Sequence, residues 1–465
     1  MSIQSINPAT GETLETFESF DKQQVDAALD TARSAYKSWR DTSFAERSAH
    51  LHAVAAYLRE HKAELAKTAT REMGKPIVES EAEVEKCAWN CDYYADNAER
   101  MLANEPVESS ASESYVAYVP LGVVLAIMPW NYPYWQVFRF AAPALMAGNT
   151  AVLKHASNVS RAALDIERIF RESGLPDGAF RTLLISGAEA EKLIADPRIA
   201  AVTLTGSDTA GVAVASASGH ALKKTVLELG GSDAFIVLED ADLDGAAQTA
   251  TRARFQNTGQ SCIAAKRFIV VEAVADAFER KFVEEASKLR VSDPLDRQTQ
   301  VGPLAREDLR DTLEDQVRRS VEMGAKVLLG GKSLPGNGYF YAPTILGSVT
   351  PEMPVFREET FGPVAAVVRA RDAAHAIALA NDSQFGLGGN LWTQDIERGK
   401  ALARHLESGG VFINGMTASD PRLPFGGVKR SGYGRELSWF GIREFVNIQT
   451  VWIGPAKAPV KTASE

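Results

Sequence analysis

Cys262 stands in the stretch Phe255 to Ala265, FQNTGQSCIAA, and is the side chain with the strongest claim to nucleophilic chemistry. Cysteine usually behaves as a small buried hydrophobe. Here its neighbours Asn257, Thr258, Gly259, Gln260 and Ser261 are polar and turn-forming, and cannot supply an apolar cage. An accessible thiol is therefore expected, in a loop just ahead of the strand-like run AAKRFIVV. A thiol attacks as thiolate, so another part of the chain must activate it. Glu228 ends the apolar run TVLEL before two glycines. A carboxylate there is costly to bury unless it is paired or its pKa is raised, and a raised pKa is what a general base near neutral pH needs.

The elements that must position these groups follow from pattern. At 465 residues and 50.3 kDa the chain is too long for one core, so two or three domains are expected. NPATGE (Asn7 to Glu12) reads as a hairpin turn, followed by helices over 21–39, 42–67 and 75–102. From Leu121 to Gly231 strand-like and helical runs alternate: GVVLAIMP, TAVLKH, RTLLIS, AAVTLTG and TVLEL are the strands. That alternation predicts a parallel sheet covered by helices, with ligands at the carboxyl ends of the strands. A second α/β unit begins after Gly230 and Gly231, with AFIVLED, AAKRFIVVE and PVAAVVRA as strands. ESYVAYV (113–119) and FVNIQTVW (445–452) read as exposed strands that form an interaction arm. Residues 456–465 read as a polar tail.

Composition narrows the function. A net charge of -10 and a pI near 5.4 disfavour nucleic acid or an anionic membrane as the main partner, while leaving room for a local basic pocket. The first residues lack a basic start and an apolar core, and no run reaches about 18 apolar residues, so a soluble cytoplasmic protein is expected. Three cysteines do not make a disulfide framework; Cys87 and Cys91 read as packing residues, and no metal site is expected.

Six stretches carry a family resemblance: PWNYP (129–133), LTGS (204–207), LELGG (227–231), GQSC (259–262), EETFGP (358–363) and PFGGVKRSGYGRE (424–436). In that order, and over nearly the whole length, the chain resembles the NAD(P)-dependent aldehyde dehydrogenases. The resemblance implies two Rossmann-like parallel α/β domains and a small β oligomerisation arm. Residues 1–112 and 130–229 would form the cofactor-binding domain, 230–423 the catalytic domain, 113–129 and 440–457 the arm, and 424–439 a connecting segment. A homodimer or homotetramer is expected.

Oxidising an aldehyde to an acid requires a nucleophile, donors for an oxyanion, a hydride acceptor and a base for water. By resemblance Cys262 is the nucleophile, forming a thiohemiacetal and then a thioester. Asn131, with the Cys262 amide, would hold the oxyanion, where one such donor contributes about 2.7 to 4 kcal/mol. Glu228 would activate the hydrolytic water and help deprotonate Cys262.

The cofactor signal is not a GxGxxG. Gly206 follows a strand and Ser207 stands where a helix begins, a place that attracts a pyrophosphate. Where the strand TAVLKH ends, the family often has a glutamate three residues after the lysine, and this chain has Lys154 and then Ser157. A cation without an anion implies a preference for NADP over NAD. Glu359 and Phe361 resemble the ribose- and nicotinamide-contacting pair, with Trp130 along the cofactor cleft.

For the substrate, Tyr134, Trp135 and Arg139 lie on the helix after Asn131, and Arg139 stands eight residues beyond it, where succinate-semialdehyde dehydrogenases carry a carboxylate-binding arginine. A second arginine expected six residues before the cysteine is replaced by Gln256, with Ser261 adjacent to the nucleophile and Ser419 as a compensating hydroxyl. Ile263 follows the cysteine, so no neighbouring disulfide switch is expected. The small-molecule substrate read from this pattern is an aldehyde with a distal carboxylate, succinate semialdehyde. The rivals are a broad-range or glutarate-semialdehyde enzyme, a CoA-acylating relative, and a catalytically silent scaffold on the same fold. The scaffold predicts loss of Cys262, Glu228 or Asn131, all of which are present. A cysteine hydrolase would need a histidine partner, and none of the seven histidines lies in such a motif.

Overall fold

The structure, a computed structural model, describes residues 2–455. Two parallel sheets organise it. The first has six strands in the order Gly432–Tyr433, Lys224–Glu228, Ile199–Thr205, Val123–Met128, Thr150–His155 and Phe180–Thr182. All pairs are parallel except the outermost one, Gly432–Tyr433 against Lys224–Glu228. Because Val123–Met128 comes first in the chain yet lies inside the sheet, the chain winds outward to one side and returns to the other. A crevice opens at such a switch point, at the carboxyl ends of the strands.

The second sheet has seven strands in the order Lys326–Leu329, Thr344–Gly347, Val364–Ala370, Ala265–Val271, Asp233–Val237, Gly388–Trp392 and Gly410–Ile413, antiparallel only at its first pair. Its central strands are buried along their full length, as β-branched and aromatic runs such as DAFIV and AKRFIVV require when helices cover both faces. The two α/β units expected from alternation are both present.

The arm is a third sheet. Glu113–Pro120 pairs antiparallel with Val446–Ile453 along eight residues, and with Glu105–Pro106 on its other side. Ile448, Trp452 and Ile453 are exposed on it. One boundary is corrected: the arm does not run to residue 129, because Val123–Met128 is an inner strand of the six-stranded sheet. Residues 456 and 457 of the expected arm, and the polar tail, lie outside the described residues. The helix expected over 42–67 is also corrected. It is two helices, Phe44–Glu60 and Lys62–Met73, because His61 leaves helical geometry between them.

The helix Trp135–Met146 is buried at every position. No side chain of its own segment caps its amino end. Glu83, from the helix Ile77–Met101, does so instead: its Oε1 accepts from the Tyr134 and Trp135 amides, both at 2.8 Å. The other oxygen pairs with Lys75, whose ammonium lies 4.0 Å from the Tyr132 ring centroid. Lys75 is wholly buried. Replacing Glu83 with alanine strands that charge and frees two amides, an uncompensated burial that costs about 3 to 5 kcal/mol. We expect Glu83→Ala to lower the denaturant midpoint strongly and to depress aldehyde turnover, with Glu83→Gln intermediate; equal midpoints for wild type and Glu83→Ala would contradict the capping role.

Candidate active site

The carboxyl edge of the six-stranded sheet faces the amino edge of the seven-stranded one. Asn131 follows Val123–Met128, Gly206 and Ser207 follow Ile199–Thr205, Lys154 lies at the end of Thr150–His155, and Glu228 ends Lys224–Glu228. Opposite them, Cys262 precedes Ala265–Val271, and Glu359 and Phe361 precede Val364–Ala370. The expected nucleophile, amide and carboxylate thus come together from two sheets.

The cysteine loop differs from its expectation. Its polar residues are not solvent-facing: Asn257, Thr258, Gly259 and Gln260 are fully buried and Ser261 nearly so. Hydrogen bonds within the protein hold most of them. Asn257 Nδ2 donates to the Asn131 and Gln260 carbonyls at 3.0 and 2.8 Å. Thr258 Oγ1 accepts from the Gly302 amide, and Gln260 Oε1 from the Ala305 amide. Fully buried Arg254 donates to the carbonyls of Gly259, Thr360, Ala265 and Gly362. Asn257 and Thr258 both have φ near +57°, and Gly259 has φ +72°. A Cβ on Gly259 would lie 2.3 Å from the Gly362 carbonyl, so glycine is required there. Cys262 is partly open, as are Gln256 and Ile263.

Burial pushes the Cys262 thiol up to about 12, with Arg139 and Lys266 pulling it back. The resting thiol is therefore neutral and needs a proton acceptor. Lys266, buried under the loop, donates to the Ser261 and Cys262 carbonyls at 2.9 Å and pairs with Glu359 at 3.4 Å. Glu359 also accepts from the Gly231 amide. Asn131 is buried, and its Nδ2 donates to the Gln260 carbonyl at 3.2 Å, which orients the amide beside the cysteine loop. His155 fixes the turn on which Asn131 sits. Its Nε2 donates to the Pro133 carbonyl at 2.8 Å while Nδ1 accepts from the Ala156 amide at 2.9 Å, a neutral tautomer.

Glu228 is 2% exposed, and neither carboxylate oxygen has a hydrogen-bond partner among the described residues. Burial raises its pKa well above the ordinary carboxylate value; Arg139 opposes the rise and Glu436 adds to it. A buried carboxyl group left without donors beside the cleft is a functional-site signature.

A cleft of about 930 Å³ opens onto the thiol. Trp135, Arg139, Gln256, Ser261 and Ser419, all expected near the substrate, line it with Cys262. Arg139 also has partners within the protein: its guanidinium pairs with Glu436, donates to Thr205 Oγ1 at 3.3 Å and stacks on Phe425 at 4.6 Å. Glu436 comes from the segment 424–439, and no spacing rule linked it to Arg139. Lys86, also absent from the sequence reading, lines the cleft from the helix Ile77–Met101.

On the cofactor side, Ser207 caps the helix Asp208–His220, accepting from the Ala210 amide. Lys154 is half-buried, Ser157 is exposed, and no carboxylate among the described residues lies within ion-pair distance of the lysine. Trp130 and Phe361 meet edge to face at 5.6 Å. Cys87 and Cys91 are fully buried.

The Glu228 environment has a measurable consequence. A carboxyl whose folded pKa is raised contributes stability that is full below its ordinary value of 4.5 and is lost as pH rises towards the folded value. Glu228→Gln keeps the neutral form at all pH. Its thermal midpoint should gain on wild type progressively from pH 5 to pH 8, while steady-state turnover collapses; a pH-independent difference would show that Glu228 titrates normally.

The aldehyde dehydrogenase family model matches residues 1–451. A probable succinate-semialdehyde dehydrogenase, NADP(+), of Synechocystis sp. is 54% identical over 453 residues, covering 97% of this chain and 100% of that protein. Succinate-semialdehyde dehydrogenase NADP(+) 1 of Mycobacterium ulcerans is 53% identical over 458 residues, covering 98% and 100%. The crystal structure of succinic semialdehyde dehydrogenase from Streptococcus pyogenes in complex with NADP+ superposes with a TM-score of 0.95 at 40% identity, covering 97% of this chain and 100% of that one. With its two facing sheets, its thiol and its unpartnered carboxyl group, the chain belongs to the aldehyde dehydrogenase family.

Proposed function

We propose that this enzyme oxidises succinate semialdehyde to succinate, with NADP as the preferred acceptor and NAD as the second. The observation that carries the reading is the charge of the cleft above Cys262. In a chain of net charge -10, its lining holds Lys86 and Arg252, neither with an acidic partner among the described residues, beside Arg139 and Arg297, which pair with Glu436 and Glu81. An aldehyde bearing an anion is attracted there, and a neutral one is not. The relatives' names agree with this.

The residues divide the chemistry. Cys262 gives its proton to Glu228 and adds through sulfur to the aldehyde carbon, and the oxyanion is received by the Asn131 side-chain amide and the Cys262 backbone N–H. Lys154, Ser157, Gly206, Ser207, Glu359 and Phe361, with Trp130 along the cleft, would hold the nucleotide. The fit rests on Lys154, a half-buried cation without a carboxylate partner among the described residues, which suits a 2′-phosphate. When bound, the nucleotide supplies the two-electron acceptor. Glu228 releases the proton it took from Cys262 to solvent and, as carboxylate again, takes one from water, whose oxygen displaces the Cys262 sulfur as thiolate and releases the acid.

Three free cysteines, two of them fully buried, suit a reducing compartment, and the proposal places the enzyme in the cytoplasm. Among the described residues no helix is long and apolar enough to cross a membrane. The exposed Ile448, Trp452 and Ile453 on the arm fit contact with a second copy, as homodimer or homotetramer.

Initial rates with succinate semialdehyde, glutarate semialdehyde and butanal, each with NADP and NAD, test the reading against a Cys262→Ala blank. The highest kcat/KM is expected for succinate semialdehyde with NADP. Higher values with NAD would reject the cofactor assignment, and a preference for butanal would reject the substrate. Arg139→Ala is a poor probe of either, since it also strips Glu436 of its partner.

A further inference from the structure

We infer that Lys86, with Ser419, is the group that receives the distal carboxylate of the substrate and so sets specificity for an anionic aldehyde. The inference rests on the semialdehyde reading above and names the residue that enforces it.

Four cations line the cleft, and they are not equivalent. Arg139 is already paired with Glu436. Arg297 pairs with Glu81 at 2.7 Å and is largely exposed. Arg252 is exposed at the rim. Lys86 alone among these four is sheltered and lacks an acidic partner. Its Nζ donates to Ser419 Oγ at 2.7 Å and lies 4.3 Å from the Trp135 ring centroid, and all three side chains line the same cleft as Cys262.

The carboxylates nearest to this ammonium are taken. Glu83, three residues earlier on the same helix, holds Lys75 and two amides. Asp420, next to Ser419, is bound by Arg422 through side chain and backbone. No carboxylate among the described residues stands within ion-pair distance of Lys86 Nζ. A sheltered charge without a counterion is unfavourable, and an anion entering the cleft relieves it.

The donors also match. With one N–H spent on Ser419, the ammonium keeps two, and the Ser419 hydroxyl, acting there as acceptor, keeps its own proton to donate. A carboxylate can take one from each. This cation comes from the helix Ile77–Met101 and not from position 256, where the family pattern has arginine and this chain has glutamine.

Burial and the neighbouring Arg139 lower the Lys86 pKa to about 8, opposed by Cys87 and Glu83 on its own helix and by Asp420 on the facing loop. Below that value the ammonium is charged, and above it the attraction fades.

The test compares KM for succinate semialdehyde and for butanal, its uncharged four-carbon counterpart, at saturating NADP in wild type, Lys86→Met and Lys86→Arg. We expect the ratio of the two KM values to rise about tenfold or more in Lys86→Met, the size of a lost charged hydrogen bond, and to stay near wild type in Lys86→Arg. We also expect the wild-type KM for succinate semialdehyde, but not for butanal, to climb above about pH 8, and this climb to vanish in Lys86→Arg. An unchanged ratio in Lys86→Met overturns the inference. Should that variant not fold, the absence of the wild-type climb overturns it instead. If wild type shows no preference for succinate semialdehyde over butanal, the substrate reading fails and takes this one with it; a preference shared by wild type and Lys86→Met defeats the lysine alone.

Discussion

One buried ion pair holds the substrate side of this molecule in place. Glu83 brings a carboxylate into a buried site, where it is tolerable only because Lys75 pairs with it and two amides at the start of Trp135–Met146 donate to it. The same contact fixes where that helix begins. Asn131, four residues upstream of Trp135, and Arg139, on the helix itself, inherit their positions from it. The helix Ile77–Met101 thus does two things at once: it caps its neighbour through Glu83 and presents Lys86 to the cleft one turn later.

The cysteine loop obeys the same logic on the other sheet. Backbone in left-handed conformations is costly for non-glycine residues, and Asn257 and Thr258 hold it only because Arg254 and the surrounding amides bind every turn of the loop. Rigidity here is purchased with hydrogen bonds to carbonyls, and the thiol stays open to the cleft. Chemistry across a seam between two sheets requires both sides to be rigid, since a misplacement of about 1 Å costs about a hundredfold in rate.

Much of this was legible in the sequence. Alternating strands and helices announced two parallel sheets, and strand ends announced where Asn131, Lys154, Gly206, Ser207 and Glu228 would gather. Glu228 could be singled out because a carboxylate in TVLEL has no local partner. What escaped was pairing across long sequence separations. Arg139 and Glu436 are 297 positions apart, and Lys86 and Ser419 are 333. Lys86 sits in an ordinary helical repeat that gives no hint of a cleft. The cysteine loop misled for a different reason: polar composition predicts exposure only when water is the cheapest hydrogen-bond partner, and here the protein supplies partners of its own. The arm boundary failed because residues 113–120 and 123–128 are nearly continuous strands that enter different sheets.

His155 carries a consequence of its own. A histidine beside a reactive centre is usually the first suspect when activity varies around neutrality. Here burial holds its pKa down to about 4, and both ring nitrogens are engaged with backbone in the neutral form. The turn bearing Asn131 is therefore deaf to acidity across the range in which cells operate. Variation of turnover with pH in that range reports on the carboxyl groups and the ammonium of the cleft, and leaves the oxyanion scaffold silent.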